Sequence, residues 1–79
     1  MDERIKELVA IGASAAVNCH PCLELHLAEG DRLGIDREEV KAAVEVGLMV
    51  NKGAAVKTRA RAEALLGLGR EAPGGCCGG

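Results

Sequence analysis

Apolar residues recur at three- and four-residue spacing along most of the chain, which is the period of an α-helix with one buried face. The first such stretch spans residues 2–18. Asp2 and Glu3 lie in its first turn, where acidic side chains suit the helix dipole, and we expect it to stop near Asn18. The apolar stripe of this predicted helix comprises Ile5, Leu8, Val9, Gly12, Ala15 and Ala16.

The pattern predicts a second helix over residues 21–34. Pro21 belongs in its first turn, where a missing backbone N–H costs nothing. Gly34 is typical of a helix C-terminus, and Ile35 is placed to make the hydrophobic contact that often follows such a glycine. One face of this helix carries Leu23, Leu27 and Gly30.

A third helical region begins at Asp36, a good N-cap residue. Gly53 interrupts the periodicity, so we predict two helices joined near this glycine, with the second continuing to about Leu66. The predicted inner face before the break comprises Val40, Ala43, Val44, Gly47 and Leu48.

These elements predict an all-α fold with one helical domain at residues 1–67. Residues 68–79 are rich in glycine and predict a flexible C-terminal tail that carries two adjacent cysteines, Cys76 and Cys77. The 79-residue chain has no Phe, Tyr or Trp, so its core must be small. We therefore expect the fold to be stabilised by self-association.

Charge and hydropathy narrow the classes of function. The net charge is −2 and there are no aromatic side chains to stack on bases, which argues against nucleic-acid binding. No apolar run approaches the ~20 residues of a membrane span, and the charged N-terminus lacks the apolar core of a signal peptide. We expect a cytoplasmic protein without membrane contacts, in which four cysteines are more often redox-active or metal-binding than structural.

The pair Cys19 and Cys22 has C-x-x-C spacing at the start of the second helix, where unpaired N–H groups favour a thiolate. His26 lies one turn after Cys22 on the same face and could carry a proton. Glu7 lies on a face of the first helix that runs toward this turn. From the helical rise, Glu7 is roughly 16 Å and His26 about 9 Å from the turn, so in a tight hairpin they meet only if the helices cross steeply.

The spacing Glu7, eleven residues, Cys19-His20-Pro21-Cys22, three residues, His26 resembles the active-site signature of the AhpD-like alkylhydroperoxidases of the carboxymuconolactone decarboxylase family. The resemblance covers about residues 1–66. It implies a small all-helical subunit that assembles into trimers or hexamers. The residue before the second cysteine is commonly His in the peroxidases; here it is Pro21, and His20 precedes it as an accessory candidate.

By this resemblance Cys22 is the peroxidatic nucleophile, Cys19 resolves its sulfenic acid to a disulfide, and Glu7 with His26 forms the proton relay. It implies an external dithiol as reductant, as in the family members that use lipoamide on a carrier protein, and no cofactor is expected.

Two other functions fit the same residues. A general thiol–disulfide oxidoreductase would use the two cysteines on a disulfide substrate. A metal- or metalloid-binding protein would use Cys19, Cys22 and His26 as three ligands of types that suit zinc, with Cys76 or Cys77 as a fourth. Adjacent cysteines on a glycine-rich arm also resemble those of mercuric reductases, and we hypothesise that Cys76 and Cys77 reduce the Cys19–Cys22 disulfide or pass a thiophilic ion to it.

Overall fold

The computed structural model describes residues 1–67 and contains three helices: α1 at Glu3–Ala16, α2 at His20–Leu33 and α3 at Arg37–Leu65. The predicted all-α class is therefore confirmed for this part of the chain. Helix α1 is central, since it packs against both α2 and α3. The predicted tail at residues 68–79, with Cys76 and Cys77, lies outside the described residues.

Helices α1 and α2 form an antiparallel hairpin. Asn18 provides the turn with a left-handed backbone at φ 59°, a conformation that asparagine tolerates better than most residues. The backbone N–H of Cys19 donates to the carbonyl of Ser14 at 3.0 Å, which ties the turn to the end of α1. At the other end of the hairpin, the Arg4 guanidinium donates to the carbonyls of Leu33 and Gly34 at 3.1 and 3.3 Å. These carbonyls are among those that the end of α2 leaves without helical partners.

The junction between α2 and α3 follows the predicted end signals. Gly34 adopts φ +73°, and the N–H of Ile35 donates back to the carbonyl of Gly30 at 3.0 Å, as in a Schellman motif. Ile35 is buried with 6% exposure, as the predicted hydrophobic contact requires. Asp36 then caps α3 by accepting from the N–H of Glu38.

Helix α3 runs in the same direction as α1 and crosses it at two glycines. A Cβ atom on Gly47 would lie 2.2 Å from the carbonyl oxygen of Gly12, so only glycine permits this approach of the two backbones. One turn further along, the Asn51 side chain donates to the carbonyl of Ala16 at 2.9 Å. The end of α1 is therefore fixed beside the middle of α3.

The prediction of two helices joined near Gly53 is wrong, because α3 continues without a break from Arg37 to Leu65. A glycine inside a helix costs only about 1 kcal/mol relative to alanine, and helix-forming residues on both sides outweigh that cost. The neighbouring Asn51, which could have ended a helix, instead uses its amide in the contact with α1.

The core is small, as the lack of aromatic residues predicts. Among residues 1–67, the buried apolar residues are Ile11, Ala15 and Ile35. Leu48, placed on the inner face of α3 by its periodicity, is 52% exposed, because the glycine crossing directs the neighbouring Gly47 toward α1 instead. Within residues 1–67, no helix is long and apolar enough to cross a bilayer.

Much of the apolar stripe of α1 is not covered. Ile5 and Val9 are 52% and 56% exposed, and Val46 on α3 is 55% exposed. These side chains border an open groove of about 520 Å³ between the two helices, which we call the α1–α3 groove. Its lining is almost entirely apolar and consists of Ile5, Leu8, Val9, Gly12, Ala13, Ala16, Ala43, Val46, Gly47 and Val50.

Candidate active site

The two cysteines of the C-x-x-C pair lie at the start of α2 and are joined in a disulfide. Cys19 is the N-cap residue, and its Sγ accepts from the backbone N–H of Cys22 at 3.3 Å. Pro21 lies within the first turn of α2, as predicted. At this position the missing backbone N–H costs no helical hydrogen bond. Both cysteines are half-buried. An N–H donor and the positive end of the α2 dipole thus act on the Cys19 sulfur and stabilise negative charge there once the disulfide opens.

Glu7 and His26 meet across the α1–α2 hairpin, with 2.5 Å between Glu7 Oε2 and His26 Nδ1. The helical rise gives an axial offset of about 7 Å between the two residues, and their side chains, one from each helix, span it. The Glu7 side chain is 12% exposed and that of His26 is 32% exposed. A largely buried carboxylate at Nδ1 fixes the orientation of the ring and leaves Nε2 as the nitrogen that can exchange a proton with another group.

Helix α2 relates the Glu7–His26 pair to the two cysteines, because it carries both His26 and Cys22. His26 follows Cys22 by one turn of α2, so both project from the same face of that helix. The structure therefore places an imidazole, paired with a carboxylate from α1, one helical turn from the disulfide along α2. An imidazole paired with a carboxylate is a group that can accept and donate protons.

The sequence also predicted His20 as an accessory residue, an alternative set of metal ligands, and the tail cysteines. His20 is exposed at the first position of α2. Within residues 1–67, no three His, Cys, Asp or Glu side chains form a group able to hold a metal ion. Two members of the alternative ligand set, Cys19 and Cys22, are in the disulfide, and it is thiolates that bind metals. Cys76 and Cys77 lie outside the described residues.

Sequence reasoning missed Asn51 as a residue that supports the site. Its amide holds the carbonyl of Ala16, three residues before Cys19, and so fixes the end of α1 from which the C-x-x-C turn departs. The available signal was a polar amide in the middle of an otherwise helical region. That signal does not by itself reveal a partner 35 residues earlier.

A second carboxylate lies near His26 but is engaged differently. Glu29, three residues after His26 on α2, accepts hydrogen bonds from Arg32. The Arg32 guanidinium lowers the pKa of the Glu29 carboxyl below its usual value, chiefly through this hydrogen bond. Glu29 is therefore charged at neutral pH and bound to a partner other than the imidazole.

Comparison with known proteins agrees with this geometry. A 50-residue segment is 38% identical to the alkyl hydroperoxide reductase AhpD of Hyphomonas neptunium (strain ATCC 15444). The segment is 63% of this chain but 28% of that protein, so the chain matches less than a third of the length of this curated relative. No solved structure matches the chain significantly. The family model for the carboxymuconolactone decarboxylase family matches residues 1–65, and the chain belongs to that family.

Proposed function

We propose that the chain is a thiol-dependent peroxidase with Cys22 as nucleophile and Cys19 as resolving cysteine. The observation that carries the proposal is the hydrogen bond between Glu7 and His26, one helical turn from Cys22. Peroxide reduction needs such a pair, because one proton must leave the thiol and one must reach the departing oxygen. The family membership and the similarity to a protein named alkyl hydroperoxide reductase support a hydroperoxide as substrate.

The proposed chemistry has two steps at sulfur. The Cys22 thiolate attacks the terminal oxygen of a hydroperoxide and the O–O bond breaks, which gives a sulfenic acid and an alkoxide that takes a proton to leave as an alcohol. The Cys19 thiol then attacks the sulfenic sulfur, forms the disulfide and releases water. The two sulfurs together lose the two electrons that the peroxide gains. An external dithiol, such as a lipoyl group on a carrier protein, returns the electrons by exchange.

The contacts at the start of α2 support this division of roles. The Cys22 N–H that reaches Cys19 Sγ stabilises negative charge on the resolving sulfur, which favours its attack on a sulfenic acid. The Glu7–His26 pair would take the proton from Cys22 through the free ring nitrogen and return it to the alkoxide. The Glu7 side chain is 12% exposed, so the carboxylate meets the ring where water has little access.

The active form is proposed to be a homo-oligomer, which the family resemblance predicts as a trimer or hexamer. The exposed apolar side chains of the α1–α3 groove support this, because an exposed apolar surface of this kind is typical of an interface. Burial of the groove by a second copy would enlarge the core of a subunit whose own buried apolar residues are Ile11, Ala15 and Ile35.

The test is stopped-flow oxidation of the reduced protein by cumene hydroperoxide. We expect a second-order rate constant at least a hundredfold above that of a free thiol such as N-acetylcysteine. Cys22→Ser should abolish the reaction. Cys19→Ser should retain the first step and accumulate a sulfenic acid that dimedone traps.

Two outcomes would contradict the proposal. If the wild-type protein reacts with cumene hydroperoxide no faster than the free thiol but exchanges rapidly with a disulfide substrate, it is a thiol–disulfide oxidoreductase. If protein purified without oxygen carries a stoichiometric metal that requires Cys19, Cys22 and His26, it is a metal-binding protein.

A further inference from the structure

We propose that Asn51 is a positioning residue, which sets the rate of disulfide closure by holding Cys19 in place. The inference deepens the proposed function and rests on it for the role of Cys19 as resolving cysteine. Asn51 lies on α3 and bonds to the carbonyl of Ala16, so it acts on Cys19 through the end of α1.

The end of α1 has the bonds of a Schellman motif. Asn18 has the left-handed conformation at φ 59° that such a motif requires. The N–H of Asn18 donates to the carbonyl of Ala15 at 3.3 Å. The N–H of Cys19 donates to the carbonyl of Ser14 at 3.0 Å. The backbone of the resolving cysteine is thus part of the motif that ends α1.

The carbonyl of Ala16 obtains its partner from another helix. Ala16 is the last residue of α1, and its carbonyl is one of the four that a helix end leaves without helical bonds. The Asn51 side chain donates to it at 2.9 Å, in a partly buried contact. Helix α3 therefore completes the hydrogen bonding of the turn that carries Cys19.

The glycine crossing makes this contact possible. Gly47 lies four residues before Asn51, on the same face of α3. Its partner Gly12 lies four residues before Ala16 on α1. Because the two backbones approach so closely at the glycines, the short side chain of an asparagine is long enough to reach across one turn later.

Cys19 belongs to both helices of the hairpin. Its N–H bonds to α1, whereas its carbonyl accepts from the N–H of Leu23 at 2.9 Å and its Sγ accepts as the N-cap of α2. Cys22 lies inside α2, which the Glu7–His26 pair holds against α1. The place of Cys19 relative to Cys22 therefore depends on the end of α1, and through it on Asn51.

Closure of the disulfide requires Cys19 at this place. The two Cα atoms are 5.2 Å apart, within the range of about 4.4–6.8 Å that a disulfide needs, so no backbone movement is required. In closure the Cys19 sulfur bonds to the Cys22 sulfur, the S–O bond of the sulfenic acid breaks, and the hydroxyl leaves as water with the thiol proton. Without the Asn51 bond the turn can move, and fewer molecules hold the two sulfurs in reactive geometry.

The experiment measures closure with an aromatic disulfide, dithiobis(nitrobenzoate), at small excess over the reduced full-length protein. Every protein carries Cys76→Ser and Cys77→Ser, so that only Cys19 and Cys22 react. The Cys22 thiolate first forms a mixed disulfide and releases one coloured aromatic thiolate, at a rate proportional to reagent concentration. Cys19 then displaces the second aromatic thiolate at a rate independent of reagent concentration, and this second phase is closure.

Asn51→Ala should slow the second phase by about three- to tenfold, the effect of one lost hydrogen bond, and leave the first phase within about twofold. Arg4→Met is the matched control. It removes the guanidinium bonds at the opposite end of the hairpin, so it should lower stability and change neither phase. An unchanged second phase in Asn51→Ala, or equal slowing in Arg4→Met, would overturn the proposal.

Asn18 provides a second test through the same motif. Asn18→Ala should also slow the second phase, because alanine is strained at a φ of 59°. Asn18→Gly adopts this conformation without strain and should keep the parent rate. If the alanine variant closes as fast as the glycine variant, the end of α1 does not position Cys19 and the inference is wrong.

The assay contains no peroxide, so its failure can be told apart from failure of the proposed function. A protein that reacts with cumene hydroperoxide no faster than a free thiol, but closes slowly as Asn51→Ala, loses the peroxidase function and keeps the positioning role. A protein that reacts rapidly with cumene hydroperoxide, but closes at an unchanged rate as Asn51→Ala, keeps the function and loses the inference.

Discussion

At the scale of single residues, the role of His26 depends on a partner 19 positions earlier in the chain. A histidine without a partner on a helix face does not by itself indicate a function. The Glu7 carboxylate distinguishes His26 from an ordinary surface histidine, because it orients the imidazole ring and holds a negative charge against that ring. The residue types and spacings pointed to both side chains, whereas axial distances along the helices argued against their contact.

Glu7→Gln should slow the oxidation of Cys22 by hydroperoxide by about a hundredfold or more, since proton transfer by a positioned group typically contributes 10²–10⁴-fold. The glutamine keeps the size of the side chain and can still hydrogen-bond to His26, but it cannot take part in proton transfer as a carboxylate does. The measurement is the stopped-flow rate constant across pH 5–9. A purely structural role for Glu7 would instead lower stability and leave the pH profile of the rate unchanged.

Glu29→Gln is the matched control for this substitution. It removes a carboxylate of the same type, three residues from His26, that is bound to Arg32 rather than to the imidazole. We expect its rate constant to stay within about twofold of wild type. If both variants slow the reaction equally, general electrostatics and not the Glu7–His26 bond determines the rate.

At the scale of helices, short sequence signals were sufficient to predict the features that neighbouring residues determine. The ends of α2 and α3 follow from Gly34 and Asp36, because caps are formed by residues a few positions apart. The crossing of α1 and α3 could not be read from periodicity, since it depends on two glycines, Gly12 and Gly47, that are distant in sequence. The continuity of α3 through Gly53 likewise depends on the balance of propensity over a whole helix.

Two glycine substitutions in α3 distinguish the effect of the close helix crossing from the effect of helix propensity. Gly47→Ala should destabilise the fold by about 1–3 kcal/mol, the usual cost of forcing an atom into a packed contact, because its Cβ would lie 2.2 Å from the Gly12 carbonyl oxygen. Gly53→Ala should stabilise it by about 0.4–1 kcal/mol, because nothing lies within 4 Å of the added atom and alanine restricts the unfolded chain. Urea denaturation measures both. Destabilisation of similar size by the two substitutions would refute the glycine crossing.

At the scale of the whole molecule, the small core and the exposed groove have the same cause. A chain without aromatic residues buries little area, and close approach of α1 to α3 through glycines removes still more side chain from their contact. The apolar residues that the sequence placed on the inner stripe of α1 therefore divide between the core and the α1–α3 groove. The composition predicted the need for a partner, but the surface on which the partner would bind could be located only after the helices were placed.

Val46→Lys tests self-association at that surface. Val46 lines the α1–α3 groove at 55% exposure, and a second copy that covers the groove would have to bury the new ammonium group without a partner. We expect sedimentation to show wild-type protein as an oligomer at micromolar concentration and the variant as a monomer. Leu66→Lys, at a position 72% exposed outside the groove, should leave the oligomer intact.

The wild-type melting temperature should also rise with protein concentration, whereas that of Val46→Lys should not, because association stabilises the folded state by mass action. A monomeric wild type, or a Val46→Lys oligomer of unchanged affinity, would rule out the groove as the interface.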